Sequence, residues 1–181
     1  MVTPDLAARF VAGAEAAGAE IFLARDVGEA LAVAARLFER EKVRTVLTCP
    51  SLRKAAEDAG LRVGIPGGTA GIAAAQAGVV RADFGAAETG TLVRLDSEDE
   101  EKLLWTLPPL CVCLLERRAI VPDLLSLAGV ISDHLGRPGR PGPQVSFITG
   151  PSRTADIECE LAIGVQGPAR LVIGLIEGGC G

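Results

Sequence analysis

Hydrophobic positions along this chain follow two periods in alternation. Short apolar runs of strand type recur at 21–24, 45–49, 61–65, 91–95, 111–116, 145–149 and 171–176. Between the first two, residues 27–41 carry Val27, Leu31, Ala34, Leu37 and Phe38 at helical spacing, with charges on the opposite side. Pro50 closes the second run, Ser51 is placed to cap a helix over 52–60, and Gly60 is placed to end it. Residues 70–82 are alanine-rich and read as partly helical, although Gly71 and Gly78 interrupt them. The acidic run 96–101 reads as a solvated turn and helix start. Pro122 suits the opening of a helix whose buried stripe would be Leu124, Leu127, Ala128, Ile131 and Leu135. The GRPGRPGP stretch at 136–143 can only be a loop, and a further helical stretch is expected near 157–163.

Residues 111–116 are apolar almost throughout, as in a strand covered on both faces. Strands joined by helical crossovers predict an α/β fold of three layers, a mainly parallel sheet with helices on both faces. A length of 181 residues fits one domain over 1–181.

Composition narrows the function classes. With 49% hydrophobic residues the chain is too apolar for disorder, and a net charge of −5 argues against a nucleic-acid binder. Mean hydropathy is high at +0.35. Yet the most apolar runs, 108–115 and 171–176, are far shorter than the roughly 20 residues that span a bilayer. The start, MVTPDLAARF, lacks the basic segment and apolar core of a secretory signal. A cytoplasmic protein without a membrane span is expected. The five cysteines include no CxxC pair, so zinc and iron–sulfur spacing is missing and buried thiols are the simpler reading. Neither GxxxxGK[ST] nor a dinucleotide GxGxxG follows a strand, and no cofactor or metal is expected.

Three segments could carry chemistry, because ligands in open α/β sheets gather where loops leave the carboxyl ends of strands. In the first, residues 81–91, Asp83 and Glu88 are paired carboxylates and Thr89, Gly90 and Thr91 offer hydroxyls and a turn. Glu88 could act as nucleophile, as acid–base group or as ligand anchor, or hold a structural turn. In the second, residues 149–158, Gly150 permits close backbone approach. Ser152, Arg153, Thr154 and Asp156 surround it, and a following helix would present free N–H groups to an anion. The alternative is an ordinary strand-to-helix turn capped by Thr154. The third, 164–168, offers Gln166 and Gly167. His134 is the sole histidine and falls near a helix end, where a structural or surface role is the better reading.

The blocks ADFGAAETGTLV, LPPLCVCLLERRAIVPDL, SFITGPSRTADIE and GVQGPARLVIGLIE, in this order, resemble the lactate utilization protein C family, also called the LUD domain. The resemblance covers roughly residues 43–177. It implies the superfold that includes ribose-phosphate isomerase and CoA-transferases. It also implies a part in a bacterial system that oxidises L-lactate to pyruvate with iron–sulfur oxidoreductase partners. A chain without cluster-type cysteine spacing suits an accessory or ligand-binding component of such a system, with a small anion as ligand and a homo-oligomer allowed. Two other readings stay open: an enzyme on phosphorylated or CoA-linked substrates using Glu88, and a sensor that binds without turnover. Gln166 stands where the family usually has the histidine of GVHGP, which removes a general base but leaves an amide for hydrogen bonding. The N-terminal stretch is also shorter than in many members.

Overall fold

The computed structural model describes residues 5–96, 98–135, 144–155, 161–163 and 167–178. Its centre is a five-stranded parallel sheet of β1 (Glu20–Ala24), β2 (Val46–Thr48), β3 (Ala77–Arg81), β6 (Leu110–Glu116) and β11 (Arg170–Ile176), in spatial order β1-β11-β6-β3-β2. Side chains alternate through β6 and β11. Cys111, Cys113, Leu115, Leu171, Ile173 and Leu175 face one core, while Val112, Leu114, Val172 and Ile176 face the other.

Helix α2 (Val27–Arg40) covers the second face with Ala30, Leu31, Ala34 and Phe38. Its start is fixed by Asp26, whose carboxylate accepts from Glu29 N at 2.8 Å. Helices α1 (Leu6–Ala16) and α5 (Asp99–Thr106) supply Phe10, Ala14, Leu104 and Trp105 to the first face. Burying one such large side chain is worth about 1.5–3 kcal/mol, so these layers carry most of the fold's stability.

A second, four-stranded sheet of β4 (Phe84–Ala86), β5 (Thr91–Leu95), β7 (Ile120–Val121) and β8 (Val145–Ile148) was not foreseen. It places Leu92 and Ile120 in the first core. The run at 145–149 is therefore not a neighbour in the parallel sheet; it pairs antiparallel with β5 at the outer edge of this second sheet.

Other expectations are corrected as well. Residues 61–65 make one bridge, Val63 to Val46, and no strand. The alanine-rich stretch 70–82 divides into a short helix, α4 (Gly68–Ala73), and the buried strand β3. Ser51 does not cap α3 (Arg53–Asp58), which follows a 3-10 turn over Pro50–Leu52; its hydroxyl instead meets Cys49 Sγ at 3.3 Å. Gly60, at φ 84°, does end that helix. In α6 (Leu124–Leu135) Leu127 is buried, but Leu124 and Ala128 are exposed, so the expected stripe is only partly used. The acidic run is not wholly solvated: Glu101 is buried and held by Arg94, which also grips Asp83. Residues 161–163 form strand β10 (Leu161–Ile163), paired with β9 (Arg153–Ala155), so the helix expected near 157–163 does not include them. The loop at 136–143 lies outside the described residues.

Among the described residues, no helix is long and apolar enough to cross a membrane.

Candidate functional site

Residues from each of the three singled-out segments meet beside one hollow. The segment before β11 brings Gly167 and Pro168, and the segment after β8 brings Thr149, Gly150 and Ser152. Together with Ala17, Trp105 and Thr106 they line a cavity of about 540 Å³. The two loops are stitched directly, since Ser152 N donates to Pro168 O at 2.9 Å. Gly167 sits so close that an added Cβ would stand 3.2 Å from Ser152 Cβ.

The location differs from the sequence expectation. Ala17 precedes β1, Thr106 precedes β6 and Gly167 precedes β11, so the cavity lies at the amino edge of three neighbouring parallel strands. The carboxyl edge is occupied instead by ion pairs. Glu116 at the end of β6 is buried between Arg81 and Arg118, and Arg117 joins Asp5 and Glu177.

Two glycines allow the loops to reach this edge. Gly150, at φ 72°, lies against the end of α1, where an added Cβ would come within 2.3 Å of Ala17 O. Gly90, at φ 66°, crosses α1 one turn earlier, and its Cβ would fall 2.1 Å from Ala14 N. Behind the cavity wall runs a chain of hydroxyls. Thr149 Oγ1 is 2.7 Å from Thr91 Oγ1, which is 2.6 Å from Thr89 Oγ1. The first and second segments are thereby joined.

Glu88 faces elsewhere. Its carboxylate is exposed and accepts from Leu124 N at 3.3 Å, at the start of α6. Asp83 is engaged by Arg94 at 2.8 Å and accepts from Leu95 N at 2.7 Å, so the two carboxylates of this segment do not act as a pair. Arg153 and Thr154 lie in β9, opposite Ile163 and Ala162, so no helix starts within the described residues 151–155. Asp156 and Gln166 lie outside the described residues. His134 Nε2 sits 2.6 Å from Asp96 Oδ2, in the structural setting expected of it.

Three cysteines are sealed in the cores. Burial pushes the Cys111 thiol up to about 12 and raises Cys113 further from reactivity. Burial also raises Cys49, against the lowering effect of Ser51. Cys159 and Cys180 lie outside the described residues. Among those described, no group of three or more His, Cys, Asp or Glu side chains is arranged to hold a metal ion.

Sequence reasoning found Gly150, Ser152 and Gly167 but missed Ala17, Trp105, Thr106 and Phe147. A signal for one of them existed: Trp105 is the only tryptophan in a chain with 3% aromatic residues.

The profile of the LUD domain matches residues 69–176, the span from α4 to the end of β11. Proteins named Lactate utilization protein C are similar over about half of the chain. The one from Geobacillus kaustophilus is 32% identical over 96 residues, covering 53% of this chain and 40% of that protein. The one from Anoxybacillus flavithermus is 36% identical over 96 residues, covering 53% and 41%. Escherichia coli uncharacterized protein YkgG is 33% identical over 103 residues, covering 57% and 45%. The matched region is thus less than half the length of these curated relatives. Among solved structures, the crystal structure of a DUF162 family protein from Deinococcus radiodurans has a TM-score of 0.69. It covers 97% of this chain and 99% of that one at 18% identity, a likeness of fold.

Proposed function

This chain belongs to the LUD domain family, and from that premise we propose that it is a ligand-binding component of a lactate utilization system. In this reading it acts with iron–sulfur oxidoreductase partners in the cytoplasm. The support is twofold. Relatives at about 30% identity carry the name Lactate utilization protein C. Loops far apart in sequence also share one cavity at the amino edge of the sheet. That convergence is the observation that carries the proposal. A cavity of about 540 Å³ falls in the range of small-molecule sites, ~300–1,000 Å³.

The division of labour follows from what the chain offers. The five cysteines include no CxxC pair, so in this reading the electron-carrying clusters belong to the partners. The decisive experiment is deletion of the gene in its native host, followed by growth on L-lactate and, as control, on pyruvate. Loss of growth on lactate alone, restored by the intact gene, is the expected result; unaffected growth on lactate ends the reading. Affinity purification from lactate-grown cells tests the partner claim, with iron-containing proteins expected in the eluate.

A further inference from the structure

Among the described residues that line the cavity there is no Asp, Glu, Lys, Arg or His; they supply hydroxyls, glycines, prolines, Ala17, Ile148 and the two aromatic side chains Trp105 and Phe147. Helices α1 and α5 both end at it, through Ala17 and Thr106, and a helix C-terminus carries partial negative charge. A small carboxylate would therefore leave water and meet no cation among these described residues. It would also be undersized, since about 540 Å³ has room for roughly eighteen waters at ~30 Å³ each.

The aromatic pair favours a flat, apolar ligand. Phe147, on the edge strand β8, leaves 55% of its surface exposed, an uncommon state for so apolar a ring and one open to stacking. Trp105 is 2% exposed, and among the described residues its indole N–H has no hydrogen-bond acceptor. Buried donors are nearly always paired, so an orphan in a side chain that walls a cavity asks for an acceptor. Ser152 and Thr149 bring hydroxyls to the same wall.

We infer that the cavity takes the uncharged, planar end of a larger ligand, a heteroaromatic or quinone ring stacked against Phe147 and accepting from Trp105, and not a free 2-hydroxy acid. This rests on the cavity being the protein's ligand site, as proposed above.

The single tryptophan makes the test direct, because its fluorescence reports occupancy at the wall itself. The full chain is titrated with adenosine and menadione as uncharged planar probes, and with L-lactate and pyruvate as small anions. Saturable change with at least one planar probe and none with the acids is expected. Phe147→Ala, at an exposed position that leaves the core intact, should weaken that binding about tenfold, the usual worth of one stacking platform. Circular dichroism of the variant checks its fold. Saturable change with lactate or pyruvate instead overturns the assignment while keeping the cavity as the site. No response to any probe up to millimolar concentration overturns it as well. Failure of the broader reading would show separately, as unimpaired growth of the deletion strain on lactate.

Discussion

Thr91 Oγ1 lies 2.7 Å from Thr149 Oγ1, so a side chain at the start of β5 holds the wall of the cavity from behind. Thr91 is 5% exposed and also meets Thr89 Oγ1 at 2.6 Å. Three hydroxyls in line exchange donor and acceptor roles with one another, and the buried middle one has no route to water. Thr91→Val should therefore cost about 0.5–1.5 kcal/mol in chemical denaturation, since both hydrogen bonds are lost while exposed Thr149 and half-buried Thr89 can turn to water. Thr149→Val on top of it should cost less than it does alone, and the cycle should show coupling of about 0.5–1.5 kcal/mol. Strict additivity would mean that the pair is not a unit.

A glycine in the middle of a buried strand is ordinarily a weakness, but Gly78 in β3 has a reason to be there. A Cβ at this position would stand 2.6 Å from Leu104 O, a backbone atom of α5. Gly78→Ala forces that helix off the sheet, and a loss of about 1–3 kcal/mol is expected from overpacking. Gly129 provides the contrast: it lies in α6 and an added Cβ meets nothing within 4 Å. Gly129→Ala should stabilise by about 0.5–1 kcal/mol through helix propensity. Thermal melts of the two variants, moving in opposite directions, would verify the packing of α5 on β3.

How much of this was legible depended on burial. The strands β6 and β11 were visible because both faces are covered, which makes their sequences apolar throughout. β3 was hidden by close packing: α5 lies so near that only glycine fits at Gly78, and together with Ala77, which faces the other core, it reads as helix or loop. The second sheet was obscured by length, since β4 and β7 contribute three and two residues and gain their order from neighbours rather than from pattern. Within the site, Gly150 and Gly167 were readable from turn chemistry. Trp105 was not, because its position on the buried face of α5 resembles that of any core aromatic, and only the tertiary fold brings it to the cavity.

Glu88 offers a clean separation of roles. Its carboxylate accepts from Leu124 N at the first turn of α6, where an acceptor and a negative charge both help. Glu88→Ala should lower stability by about 0.3–1 kcal/mol, while Glu88→Gln keeps an accepting oxygen and should lose only part of that. If the residue serves the helix, the Gln variant supports growth on lactate as the parent does. Growth lost at unchanged melting temperature would instead give Glu88 a chemical role.

The buried thiols set an alkaline limit. In the folded chain Cys111 is pushed up to about 12 and Cys113 is raised as well, both by burial, whereas an unfolded thiol ionises near ~8.5. The folded state thus holds protons that the unfolded state has already released. Their contribution to stability is complete below about pH 8.5 and shrinks as pH climbs toward 12. Denaturant midpoints should fall across that window, and Cys111→Ala combined with Cys113→Ala should flatten the fall even though each substitution lowers stability at pH 7. At neutral pH, iodoacetamide should leave Cys49, Cys111 and Cys113 unmodified in the folded protein and label them once it is unfolded, as peptide mass spectrometry would record. Labelling of Cys111 without unfolding would mean that the first core opens locally, and the stability of β6 would then have to be placed well below that of the whole fold.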